Sequence, residues 1–255
     1  MNRIFSRRTT LLPMVGILML SAGCGGGAGG DLQADTPPRT PTQYVVAVDL
    51  STSLTPTERK AHQDLLHALV RDLDFGDRLV LLKTHAAGIR DTSTARVVTM
   101  PVPRGSRPLQ RERDELELQR QTADGYVTTF FKAQPVHGTD LFATMHTAGE
   151  RVREGTGARK VLVVLSDMLQ CTRGVCMERP GGLPDSAWIS AQKQQGLVPG
   201  LEGVCVSIVG ADATTAHGVS VREFWRRYFQ TAGASFDPAR YVHGASTAAA
   251  LRCAS

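Results

Sequence analysis

Apolar residues recur along the chain with two different periods. YVVAV, from Tyr44 to Val48, is a short, continuous, β-branched run, as in a strand buried on both faces. RLVLLKT (78–84), KVLVVLSDM (160–168) and GVCVSIVG (203–210) repeat the pattern, ARVVTMPV (95–102) reads as a further strand, and RYV (240–242) as an edge strand. Helical spacing fills the gaps. Ala61, Leu65, Leu69 and Leu73 share one face, after an N-cap at Thr55, a first-turn Pro56 and a capping-box Glu58. Leu141, Met145, Ala148 and Val152 mark a second helix after Thr139. Val221, Phe224, Trp225, Tyr228 and Phe229 form an aromatic stripe, read as core, on a helix expected to be capped by Ser220 and Glu223. Residues 246–253 read as a last helix. The charge-dense stretch 104–118 reads as a solvated helix, with Tyr126, Phe130 and Phe131 anchoring the region to the core. Strands alternating with helices predict an α/β fold: a doubly wound, mostly parallel sheet with helices on both faces and one antiparallel edge strand.

Composition changes this picture at the N-terminus. The formal charge of the 255-residue chain is +5. Residues 1–23 contribute Arg3, Arg7 and Arg8 and no acid, leaving 26 Lys+Arg (29 less 3) against 24 Asp+Glu. That balance argues against a nucleic-acid surface. The three arginines precede an apolar run from Leu11 to Leu20, of signal-peptide length and short for a membrane span. Ser21-Ala22-Gly23-Cys24 then resembles a bacterial lipobox, which implies cleavage after residue 23 and acylation of Cys24. Ser6-Arg7-Arg8 also resembles a twin-arginine export signal, with Thr10 standing where that pattern prefers Phe. Residues 24–43, rich in Gly, Pro and Thr, are expected to be a flexible linker, and 44–255 the folded domain. Four further cysteines, Cys171, Cys176, Cys205 and Cys253, read as up to two disulfides in an exported protein. Three pairings are open, with the local bridge Cys171 to Cys176 the first choice, leaving Cys205 to Cys253.

The candidate chemistry lies at the C-terminal ends of expected strands, where open parallel sheets bind ligands. Three short pieces fall there: DLSTS (Asp49, Ser51, Ser53), GTD (Gly138, Thr139, Asp140) and SD (Ser166, Asp167). Their side chains offer only oxygen, the ligand type that a hard cation such as Mg²⁺ demands. Asp140 reads as a helix cap and His137 as a surface hydrogen-bonding residue.

These motifs, in this order, resemble the metal-ion-dependent adhesion site of von Willebrand factor A-type (vWA) domains, over about residues 44–253. The resemblance implies that Ser51, Ser53 and Thr139 contact a divalent cation (Mg²⁺, or Mn²⁺ or Ca²⁺). Asp49 and Asp167 would act through water, and a partner protein's Asp or Glu carboxylate would fill the open position. Two features depart from the family pattern. Met168 replaces the glycine common after the late aspartate, and residues 168–200 form a long insertion, expected on the metal-bearing edge. The whole reading is an adhesion module, lipid-anchored at Cys24. Gly25, in place of a retention aspartate, points to the outer membrane, facing the periplasm. The alternatives are an envelope scaffold with a structural metal and a metal-dependent hydrolase. The second lacks a visible base, a Gly-x-Ser-x-Gly or a phosphate loop.

Overall fold

A computed structural model of the chain describes residues 39–84, 95–135, 137–155, 159–172, 174–244 and 247–253. The expected leader, Cys24 and the linker as far as residue 38 lie outside these residues.

Six strands form one sheet in the order β3-β2-β1-β4-β7-β8: β1 (Thr42–Asp49), β2 (Arg78–Thr84), β3 (Arg96–Thr99), β4 (Arg159–Leu165), β7 (Val204–Val209) and β8 (Ser235–Val242). All neighbouring pairs are parallel except β2 with β3, so β3 is the antiparallel edge strand. The strands β1, β4 and β7 are central and covered on both sides, which accounts for their predominantly apolar runs, interrupted in β7 by the buried Ser207. Alternation divides β1 between two cores. Val45 and Ala47 face α3 (Leu141–Arg153) and α5 (Ala216–Thr231), whereas Tyr44, Val46 and Val48 face α1 (Pro56–Asp72) and α2 (Gln110–Phe131). The arrangement is the doubly wound α/β sheet expected from the sequence.

Several local expectations are met for the expected reasons. Thr55 caps α1 in a complete capping box with Glu58, and Pro56 opens the helix. Val221, Phe224, Trp225, Tyr228 and Phe229 are all buried. The disulfides join Cys171 to Cys176 and Cys205 to Cys253. Two such bridges fit an oxidising compartment outside the cytoplasm.

Other elements differ. β1 starts at Thr42, because the Thr42 N–H donates to the buried Asp77 carboxylate (2.7 Å), and Arg39 pairs with the same group (2.8 Å). The charge-dense stretch belongs to a 22-residue α2 running from Gln110 through Phe131. Its buried anchors are Leu116, Ala123, Val127 and Phe130, while Tyr126 and Phe131 are only partly covered. α5 begins at Ala216, capped by the Thr215 side chain rather than by Ser220. Ser220 bonds back to the Ala216 carbonyl and Glu223 pairs with Arg226 and Arg227. The edge strand around RYV runs over eight residues, and the expected last helix is a four-residue 3₁₀ turn, Ala248–Leu251.

The insertion divides in two. A hairpin, β5 (Cys171–Thr172) with β6 (Val175–Cys176), stays at the C-terminal edge of the sheet. Helix α4 (Ser186–Gln194) instead lies against α5, with Trp188 on Phe142 and Phe224, and Lys193 bonded to the Thr231 carbonyl.

Candidate metal centre

The strand order reverses direction between β1 and β4. Such a reversal opens a crevice beyond the C-terminal strand ends, the usual ligand site of open α/β sheets. Asp49 ends β1, and Ser166 and Asp167 directly follow β4, so two of the three motifs meet at that crevice.

Hydrogen bonds tie these motifs together. Asp49 is fully buried; its Oδ1 accepts from the Ser51 N–H (2.8 Å) and its Oδ2 from the Ser166 hydroxyl (2.7 Å). The Ser51 and Ser53 hydroxyls are 2.7 Å apart, and the Ser53 hydroxyl donates to Asp167 Oδ2 at 2.7 Å. Asp167 Oδ1 accepts from the Leu169 N–H (2.9 Å), and the Met168 N–H donates to Ser166 Oγ (3.0 Å). Arg59, one turn into α1, fixes the first loop from behind by donating to the carbonyls of Leu50, Phe131 and Ala133.

The Thr139 loop joins through its backbone and neighbours. Gly138 takes φ +80°, a left-handed turn suited to glycine, and delivers Thr139 into a buried position. The Thr139 carbonyl accepts from the Cys171 N–H (3.3 Å), and the Gln170 side chain accepts from the Leu141 N–H (2.6 Å). His137 Nδ1 lies 3.2 Å from the Thr52 hydroxyl. Asp140 caps α3, accepting from the Ala143 N–H, as expected. Among the described residues, the Thr139 hydroxyl takes part in none of the bonds that link Asp49, Ser51, Ser53 and Asp167.

The electrostatics favour a cation. Burial pushes the Asp49 carboxyl above its ordinary range. Burial, reinforced by the charge of Asp49, raises Asp167 to about 6. Neither carboxylate is ion-paired with a lysine or arginine among the described residues; the Arg59 charge lowers Asp49 only weakly against its burial. A buried carboxylate (Asp49) and a half-buried one (Asp167), mutually repelling and ringed by hydroxyls, form an oxygen-only donor set that fits a hard divalent cation.

Ser166 links two parts of this network. It holds Asp49 across 117 residues of sequence and also receives the Met168 N–H. Its one sequence signal is its place beside Asp167. Met168 stands at φ +65°, among the described residues the one non-glycine with positive φ, in the left-handed region that favours glycine. A sequence departure thus coincides with a strained backbone position.

No family model matches the chain, and no curated protein matches it. Among solved structures it is similar to a von Willebrand factor type A protein from Catenulispora acidiphila, with 16% identity, 77% of this chain covered and a TM-score of 0.44. It is also similar to the conserved hypothetical protein BatB from Bacteroides thetaiotaomicron (16%, 66% of this chain, TM-score 0.38). A third is the pilus adhesin SpaC from Lactobacillus rhamnosus GG in its open conformation (15%, 84%, TM-score 0.44). The chain spans 38%, 66% and 29% of those three chains, respectively.

Proposed function

We propose that this chain is an envelope lipoprotein whose α/β domain holds a protein partner through a divalent cation. Mg²⁺ is the first choice, with Mn²⁺ or Ca²⁺ as substitutes. One observation carries the reading: Asp49, Ser51, Ser53, Ser166 and Asp167 converge as one hydrogen-bonded oxygen cluster at the strand-order reversal. In this reading the hydroxyls of Ser51, Ser53 and Thr139 hold the cation, with Asp49 and Asp167 behind them. Two carboxylates against a divalent charge leave the centre close to neutral, and hydroxyl ligands add no charge. The cation supplies Lewis acidity toward an external carboxylate, so the partner presents an Asp or Glu. The Cys171–Cys176 hairpin, bonded to the Thr139 loop, stands beside the site and shapes which partner fits.

Lipidation at Cys24 would anchor the domain to the outer membrane, facing the periplasm. Cys24→Ala should abolish partition into the detergent phase; unchanged partition and maturation would remove the anchor from the proposal. For the metal, calorimetric titration of Mg²⁺ and Mn²⁺ into chelator-stripped protein should show one site, weakened about 10–100-fold in Asp49→Ala. No binding heat from the wild type would refute it. Turnover of a phosphoester or peptide by the metal-loaded protein would favour a hydrolase instead.

A further inference from the structure

Thr84 is the last residue of β2, and the parallel pairing sets it opposite Asp49, the last residue of β1. Neighbouring strands lie about 4.8 Å apart, so in-register residues stand side by side. The faces also agree. Val45 and Ala47 of β1 and Val80 and Leu82 of β2 point into the same core layer. Asp49 and Thr84, each two residues further along, therefore continue that face to the edge bearing the candidate metal site. Thr84 is 1% exposed, and its buried hydroxyl has no hydrogen-bond partner among the described residues.

A buried hydroxyl without a partner destabilises a fold and asks for an explanation. Core packing does not supply one: valine has nearly the same shape, and the inward positions before Thr84 on β2 are Val80 and Leu82. The neighbouring carboxylate does. Each Asp49 oxygen already accepts one protein hydrogen bond and keeps a further lone pair. A water bound to a divalent cation has both lone-pair regions turned toward the metal and both hydrogens to donate. Asp49 can take one hydrogen, and a second acceptor beside it is needed for the other.

We infer that Thr84 is a further residue of the metal centre, a positioning residue whose hydroxyl accepts a hydrogen bond from cation-bound water shared with Asp49. The inference rests on the metal reading proposed above. It assigns a role to β2, which carries none of the Asp-x-Ser-x-Ser, Thr or late-Asp motifs.

The test uses the full-length protein with both disulfides intact, as wild type, Thr84→Val and Thr84→Ser. Mg²⁺ and Mn²⁺ affinities are measured by calorimetry, and thermal unfolding is followed in chelator. Thr84→Val is expected to weaken both metals at least about 10-fold, the usual loss for a group behind the direct ligands. In chelator it should melt at or above the wild-type temperature, since the unpartnered hydroxyl is gone. Thr84→Ser should restore metal affinity. Wild-type affinity in Thr84→Val would overturn the inference and leave the metal reading intact. Weaker metal binding accompanied by a lower melting temperature in chelator, with no rescue by serine, would also overturn it, by assigning Thr84 to packing. Absence of metal binding by the wild type would overturn both readings together.

Discussion

Replacing Met168 by glycine sets backbone strain against packing at the residue that follows Asp167. Met168 holds φ +65°, which costs a non-glycine residue about 1–2 kcal/mol. Its side chain is fully buried in the core layer under α5, and its carbonyl accepts from the Trp225 indole N–H at 3.0 Å. Truncating a buried methionine to alanine costs about 2–5 kcal/mol. Packing therefore outweighs strain, and both Met168→Ala and Met168→Gly should be less stable than wild type, by about 2–4 kcal/mol. Their order is the sharper test. Glycine ordinarily loses to alanine through its unfolded-state entropy, by about 0.5–1 kcal/mol. In a left-handed position the strain relieved exceeds that, so Met168→Gly should be the more stable of the two. Equilibrium urea unfolding in chelator, with disulfides intact, measures both differences. Alanine more stable than glycine would refute the left-handed assignment, and glycine equal to methionine would refute the ranking of packing over strain.

Three further outcomes follow from the same structure. Burial lowers the His62 pKa to about 4, against an opposing pull from Glu58, so the ring is neutral in the fold and protonates in the unfolded chain below about 6.5. The His62 contribution to stability should be complete above pH 6.5 and be lost by up to about 3 kcal/mol as pH drops toward 4, so the wild type should lose stability relative to His62→Gln across that window; a pH-independent difference between the two proteins would contradict this. The Cys205–Cys253 bridge closes a separation of 48 residues and Cys171–Cys176 one of 5, so removal by paired serines should cost about 4 and about 2 kcal/mol in denaturant unfolding; the reverse order would refute the loop-closure argument. In the proposed reading the Thr139 hydroxyl reaches the cation mainly in the partner-bound state, so Thr139→Ala should weaken partner capture more than calorimetric Mg²⁺ binding; equal losses would count against it.

The sheet was legible because its central strands are buried on both faces and so read as predominantly apolar runs, and α1 because all three of its start signals lie within four residues. The apolar spacing starts α5 later than the structure does. Its true first turn contains Gly218, which sits where a Cβ would meet the Asp212 carbonyl at 2.6 Å, and the apolar spacing becomes regular only from Val221. β8 was seen only at its end because it is an edge strand with Pro238 and a register shift against β7. The Asp49-x-Ser51-x-Ser53 loop showed itself as a local motif. The bond from Ser166 to Asp49 and the register that sets Thr84 beside Asp49 did not, because they depend on strand order and pairing, which one-dimensional spacing does not encode.

The most direct test of the central claim is partner capture from envelope extract by immobilised wild-type protein and Asp49→Ala, each in Mg²⁺ and in chelator. The account predicts a partner retained by the wild type in Mg²⁺, released by chelator, and absent from Asp49→Ala under both conditions. Equal capture by the two proteins, with or without chelator, would contradict metal-dependent adhesion and leave a scaffold whose contacts lie elsewhere.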